Sequence, residues 1–101
     1  MINVIVTYTV KADRVAENED LVQAVYDQLR QIADPDVHYA TFKKADGCTF
    51  VHVAFFPSEE KQKVLSDSSA FRAFQADLLQ RCEVPPKAEP VMPIDSYNFR
   101  L

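Results

Sequence analysis

The chain has 101 residues, 48% hydrophobic and 26% charged, with a formal net charge of −4, a composition that supports one globular domain over residues 1–101 burying roughly 60 to 70 per cent of its unfolded surface. Its 11 basic residues are interspersed among 15 acidic ones, so no basic stripe is available to neutralise a phosphate backbone, and nucleic acid is not an expected partner. No apolar run approaches the ~18 residues of a membrane span, and a single glycine excludes the G-x-x-x-x-G-K-[ST] and G-x-G-x-x-G loops of kinases, small GTPases and Rossmann dehydrogenases.

Met1 leads directly into an alternating segment, Ile2 to Val10, with no basic stretch or cleavage-like site before it, and a cytoplasmic location is the expectation. The alternation puts Val4, Val6 and Tyr8 on one side and Asn3, Ile5, Thr7 and Thr9 on the other, the period of a half-buried strand. From Asp13 to Ala33 the spacing becomes helical, with Val15, Asn18, Val22, Val25, Leu29 and Ile32 at intervals of three or four and Leu21 widening the stripe. Asp34-Pro35 ends it. Two strands are predicted next, Val37–Lys44 and Thr49–Phe56, joined at Asp46-Gly47 by a two-residue turn in which both central positions take positive φ. With Ala45 opposite Cys48, the register pairs Lys43 with Phe50, Thr41 with His52, Tyr39 with Ala54 and Val37 with Phe56 on one face. The other face pairs Phe42 with Val51, Ala40 with Val53 and His38 with Phe55.

Pro57-Ser58-Glu59-Glu60 opens a second helical region, broken near Ser66–Ser69, where a serine can cap the piece carrying Phe71, Phe74, Leu78 and Cys82 on one face. Pro85-Pro86 reads as a linker, and Glu89 to Phe99 as a last strand, confined to a sheet edge because Pro90 and Pro93 donate no ladder hydrogen bonds. The order β-α-β-β-α-β predicts an α+β, ferredoxin-like unit, in which two helices cover one face of a four-stranded antiparallel sheet. The helices are expected to cover Val4, Val6, Tyr8, Ala40, Phe42, Val51, Val53 and Phe55. The opposite face then holds Ile5, Thr7, Thr9, Val37, Tyr39, Thr41, Phe50, His52, Ala54 and Phe56, more apolar surface than a monomer leaves in water. A homodimer through that sheet face is the expected cover, with a cavity for a small aromatic molecule between the sheets.

Several segments carry a resemblance: the opening strand Val4-Ile5-Val6-Thr7-Tyr8, the helix after it, the pair Tyr39-Ala40-Thr41-Phe42 and Phe50-Val51-His52-Val53, and Ser69-Ala70-Phe71-Arg72-Ala73-Phe74. Through them the chain resembles the dimeric α+β-barrel superfamily, in particular its small antibiotic-biosynthesis-monooxygenase-like members. The segments Glu17-Asn18-Glu19, Thr49-Phe50-Val51-His52-Val53 and Arg81-Cys82-Glu83-Val84-Pro85-Pro86 look closer to small bacterial proteins of unassigned function. What the monooxygenase-like resemblance implies is cofactor-free oxidation of a phenol or quinol by O₂ in a cavity that stabilises the phenolate. The chain departs from that pattern in having no Trp, and in carrying Leu65 or a neighbour where many relatives have a helix-two His. These departures favour an uncharacterised dimeric barrel that binds a small aromatic or apolar molecule, with the monooxygenase as the alternative.

His52 is the candidate base, since a neutral imidazole in an apolar cavity can accept a phenolic proton; its plainer role is a hydrogen bond to Thr41 at an interface. Tyr39 and Thr41 are candidates for positioning a ligand hydroxyl, with Phe50 as an apolar wall and Thr7 on the same expected face. Asn18 interrupts an apolar helical stripe, where an amide is unfavourable unless it has a partner. His38 is expected to face the helices, while Arg72 and Arg81 read as surface. Cys48 and Cys82, 34 positions apart, have no metal-ligand or redox spacing, so neither metal nor cofactor is expected.

Overall fold

Alternating strands and two amphipathic helical stretches produce the predicted order in the computed structural model, which describes residues 1–99. Strand β1 (Ile2–Val10) leads through a single 3-10 turn (Ala12–Arg14) into helix α1 (Val15–Ile32). The hairpin β2 (His38–Lys43) and β3 (Thr49–Phe56) follows, then the broken second helical layer α2 (Glu59–Ser66), α3 (Ser69–Ala76) and α4 (Leu78–Arg81), and finally β4 (Cys82–Pro90). The four strands form one antiparallel sheet in the order β2-β3-β1-β4, the ferredoxin-like arrangement. The break between α2 and α3 is capped as expected: the Ser68 hydroxyl accepts the Phe71 N–H at 3.3 Å, as Ser58 accepts from Lys61 at the start of α2.

The hairpin keeps the predicted register, Lys43 with Phe50, Thr41 with His52 and Tyr39 with Ala54, but its turn is of another kind. Gly47 alone has positive φ, +78°, and Asp46 does not share it. Instead the Asp46 carboxylate accepts the backbone N–H groups of Cys48 and Thr49 at 2.9 and 2.8 Å and the Thr49 hydroxyl at 2.6 Å. The aspartate shapes the loop through its side chain, so its own backbone does not need the left-handed region. The last strand also falls earlier than expected, on Cys82–Pro90 instead of Glu89–Phe99. Pro85 and Pro86 are no linker. They lie inside β4, where the pairing with β1 shifts between Thr7 and Thr9, a bulge that tolerates missing N–H donors.

A second correction decides where the chemistry sits. Residues directly opposite in an antiparallel pair share a face, and β1 pairs Val4 with Ala54, Val6 with His52 and Tyr8 with Phe50. The mixed face of the hairpin therefore joins Val4, Val6 and Tyr8 beneath the helices. The other side carries Ile5, Thr7, Thr9, Ala40, Phe42, Val51, Val53 and Phe55. His38 lies on this second side and is exposed, contrary to its expected burial. Hydrogen bonding explains the choice: α1 and α4 bring amide and guanidinium donors over the sheet, and only His52 and its neighbours need them. The core beneath the helices gathers Tyr8, Val10, Val22, Val25, Phe50, Ala54, Phe56, Leu65, Phe74 and Leu78.

Two backbone positions give a paired test with opposite signs. Ala33 closes α1 in the left-handed region (φ 55°), its N–H bonded to the Leu29 carbonyl at 2.8 Å, a position glycine occupies without strain. Ala33→Gly is expected to stabilise the chain by about 1 kcal/mol, and Gly47→Ala, where a methyl meets no atom within 4 Å but φ is +78°, to destabilise it by about 1 kcal/mol. Urea denaturation midpoints check both; shifts of the same sign would refute the assignment of strain to φ.

Candidate functional site

Between the sheet and the second helical layer lies a cavity of about 370 Å³, toward the lower end of the roughly 300–1,000 Å³ typical of small-molecule sites. Val4, Val6, Ala54 and Phe56 of the sheet form its floor, and Leu65, Phe71, Phe74 and Leu78 its roof. Tyr39 and His52 supply its polar end, and Gln62, Ser66 and Gln75 add polar groups elsewhere on its lining. It lies within one chain, on the helix-covered side of the sheet, where the mixed face expected to meet a partner copy is found.

His52, 3% exposed, is hydrogen-bonded at both ring nitrogens. Nε2 meets the Tyr8 hydroxyl at 2.7 Å, while Nδ1 meets the Tyr39 hydroxyl at 2.7 Å and the Thr41 hydroxyl at 3.0 Å. The contacts continue outward on each side. Asn18 Nδ2 donates to the Tyr8 oxygen at 3.0 Å, Arg81 Nε donates to Asn18 Oδ1 at 3.1 Å, and the Tyr26 and Thr41 hydroxyls are 2.7 Å apart. Stacking reinforces the row: the Tyr8 ring lies 5.6 Å from Phe50 and 5.3 Å from His52, and Tyr39 lies 5.5 Å from His52.

Burial pushes the His52 imidazole down to about 4, so it is neutral near pH 7. Burial likewise drives the Tyr8 and Tyr39 phenols well above the ordinary tyrosine value, and the Arg81 charge opposes that rise at Tyr8. All three groups are thus fixed in their neutral forms. A base near 4 taking a proton from a phenol near 10 works uphill by roughly 8 kcal/mol, at 1.36 kcal/mol per pKa unit.

Of the residues singled out from the sequence, His52, Tyr39, Thr41 and Asn18 belong to one hydrogen-bonded row, and Phe50 stacks at its end. Thr7 does not join them; it faces the other side of the sheet, opposite Val51 and Lys87. Asn18 is fully buried, and its amide has the partners that its place in an apolar stripe demanded. Arg81, read as surface, is also fully buried. Its Nη2 donates to the Phe74 carbonyl at 2.8 Å, its guanidinium lies 5.4 Å from the Phe74 ring centroid, and Nη1 has no partner. It forms no ion pair among the described residues. A signal was present: Phe74, Leu78 and Arg81 continue one stripe at steps of four and three. Tyr8 was placed on the correct face but not recognised as the link between Asn18 and His52.

No protein-family model matches the chain, and no curated protein matches it. Solved structures do. A Nitrosomonas europaea protein carrying the antibiotic-biosynthesis-monooxygenase name superposes with a TM-score of 0.78 at 15% identity over 94% of this chain and 100% of its own. Rv0793 from Mycobacterium tuberculosis gives 0.77 at 19% identity, over 94% and 96%. SnoaB from Streptomyces nogalater, a cofactor-independent oxygenase, gives 0.71 at 11% identity, over 97% of each. The chain has the fold of the antibiotic-biosynthesis-monooxygenase-like proteins, as the sequence resemblance implied.

Neutral burial of His52 has a measurable consequence. On acidification the unfolded chain, with an imidazole near 6.5, takes up its proton before the folded one, near 4. The contribution of this group to stability is full above pH 6.5 and declines as the pH falls toward about 4, by roughly 3 kcal/mol in all. His52→Gln is expected to lose that part of the acid dependence. Urea unfolding of both proteins at pH 7 and 4.5 checks it, and identical pH slopes would contradict the assignment.

Proposed function

We propose that this chain, with its antibiotic-biosynthesis-monooxygenase-like fold, binds a small aromatic or apolar molecule in the cavity between its sheet and its second helical layer. The observation that carries the reading is an apolar chamber of about 370 Å³ with one polar end built from Tyr39 and His52, the usual composition of a small-molecule site. Asn18, Thr41 and Phe50 hold that polar end in place. Calorimetric titration with bicyclic aromatics is expected to find a binder, and Ala54→Leu, which intrudes on the cavity floor, to weaken it by about tenfold or more while the fold is retained by circular dichroism. No binding by any member of the panel would remove this reading.

The likeness to SnoaB favours a second reading, a cofactor-independent oxygenase acting on a phenol or quinol. In that reading His52 orients the substrate through Tyr39 and Thr41, since a base near 4 is poorly matched to phenol deprotonation. Oxygen uptake with a panel of hydroquinones tests it, with a fall of about tenfold or more expected in His52→Ala; absence of uptake by the parent protein counts against it.

The second face of the sheet supports a homodimer in either case. Ile5, Ala40, Val51, Val53 and Phe55 are only half-buried there, and Phe42 is 40% exposed, an apolar surface suited to a two-fold partner copy. Light scattering is expected to report twice the 11.5 kDa chain mass, and Val53→Glu to shift the protein toward monomer. A monomeric parent at micromolar concentration would overturn the dimer.

A further inference from the structure

We infer that helix α2 is a hinged gate on the cavity, held shut by Lys61 bridging to Asp34 and Asp36, and that its outward swing is what admits a molecule to the cavity floor. The gate is tested without any ligand, so its failure leaves the ligand-binding reading untouched.

A wall must give way for the cavity to fill. Tyr8, His52, Ala54 and Phe56, which line its deep end, are 1, 3, 5 and 2% exposed, so a ring-sized molecule does not reach them past fixed walls. The floor is a hydrogen-bonded sheet. Helix α3 is tied to its surroundings at both ends: Gln28 Oε1 of α1 accepts the Ala70 N–H at 2.7 Å, and the buried Arg81 donates to the Phe74 carbonyl at 2.8 Å. Helix α2 is held far less firmly. Leu65 is its one buried residue, and Gln62, Leu65 and Ser66 line the cavity on one flank. On the other flank an open groove separates Glu60, Lys63 and Val64 from Gln28 and Ile32 of α1. An element with one buried anchor and free space on two sides belongs to the low-stability end of a structure. Its two ends are breaks in the helical layer, with separate serine caps, Ser58 for α2 and Ser68 for α3. The helix therefore turns about them as a unit without losing its internal hydrogen bonds.

The latch is Lys61. Its ammonium lies 2.8 Å from Asp34 Oδ2 and 3.4 Å from Asp36 Oδ2, both on the connection from α1 to β2. The acceptor is preset: Asp34 Oδ1 takes the Asp36 N–H at 2.9 Å, leaving Oδ2 for Lys61, and the Asp34 side chain is only 14% exposed. Among the described residues, no other side chain of α2 hydrogen-bonds or ion-pairs beyond the second helical layer. Opening breaks these ion pairs and the Leu65 contacts, and the ion-pair share is weakened by salt.

A thiol on the cavity floor reads the gate. In a Cys48→Ser/Cys82→Ser background, Ala54→Cys supplies it, and the neutral, ring-sized disulfide 2,2′-dithiodipyridine reports labelling through released 2-thiopyridone. Lys61→Gln is expected to speed labelling about fivefold, Asp34→Asn by less because Asp36 remains, and the double variant by no more than Lys61→Gln alone. Salt at about 0.5 M is expected to speed labelling in the parent and not in Lys61→Gln. On the chain without the added cysteine, hydrogen exchange is expected to show α2 amides opening before those of α1, α3 and the sheet, and faster again in Lys61→Gln. Labelling unchanged by Lys61→Gln and by salt overturns the latch, and α2 amides exchanging no sooner than those of α3 overturn the gate itself. Effects that multiply in the double variant overturn the pairing and reassign both substitutions to a general loss of stability.

Discussion

An imidazole taken out of water must keep a partner on each nitrogen, since a buried polar group left unmatched costs about 1–3 kcal/mol. Much of this molecule is arranged around that requirement at His52. β1 lends Tyr8, β2 lends Tyr39 and Thr41, and α1 lends Asn18, which in turn requires Arg81 from the short helix at the end of the second layer. Five elements from both halves of the sequence meet through one ring. The row also explains why the hairpin turns its mixed face toward the helices, where the row's outer members are held.

The hairpin register was legible because the observed loop, closed by the Lys44 N–H to the Thr49 carbonyl at 2.8 Å, keeps the strand phase that a two-residue turn at Asp46-Gly47 gives; the turn type was not, because it depends on the Asp46 carboxylate reaching forward. The face that the hairpin shows to the helices was not legible either. β1 reaches β3 through a helix and a strand, so no tight turn sets their phase, and a slip of one residue exchanges the two sides. Both sides are apolar enough to be buried, which removes the usual hydrophobic cue. His52, Tyr39, Thr41 and Asn18 were still identified, since polar atoms in apolar stripes stand out whichever way the stripe faces. Arg81 escaped notice because arginine is ordinarily exposed, and its burial is understood only with Asn18 and the Phe74 carbonyl in view.

The shared fold and the local chemistry address different questions. At 11 to 19% identity, the structures that superpose on this chain establish its architecture, and one architecture accommodates many sites. The cavity of this chain is lined at one end by neutral phenols and a neutral imidazole, with the buried Arg81 behind them.

The prolines of β4 have a consequence for how the protein meets other copies of itself. Pro85, Pro86 and Pro90 leave gaps in the row of amide donors along one border of the sheet, so an incoming extended chain finds no continuous ladder to extend. The opposite border, β2, has six residues and no proline. Lateral addition of further strands is therefore hindered at one margin and limited to a short stretch at the other.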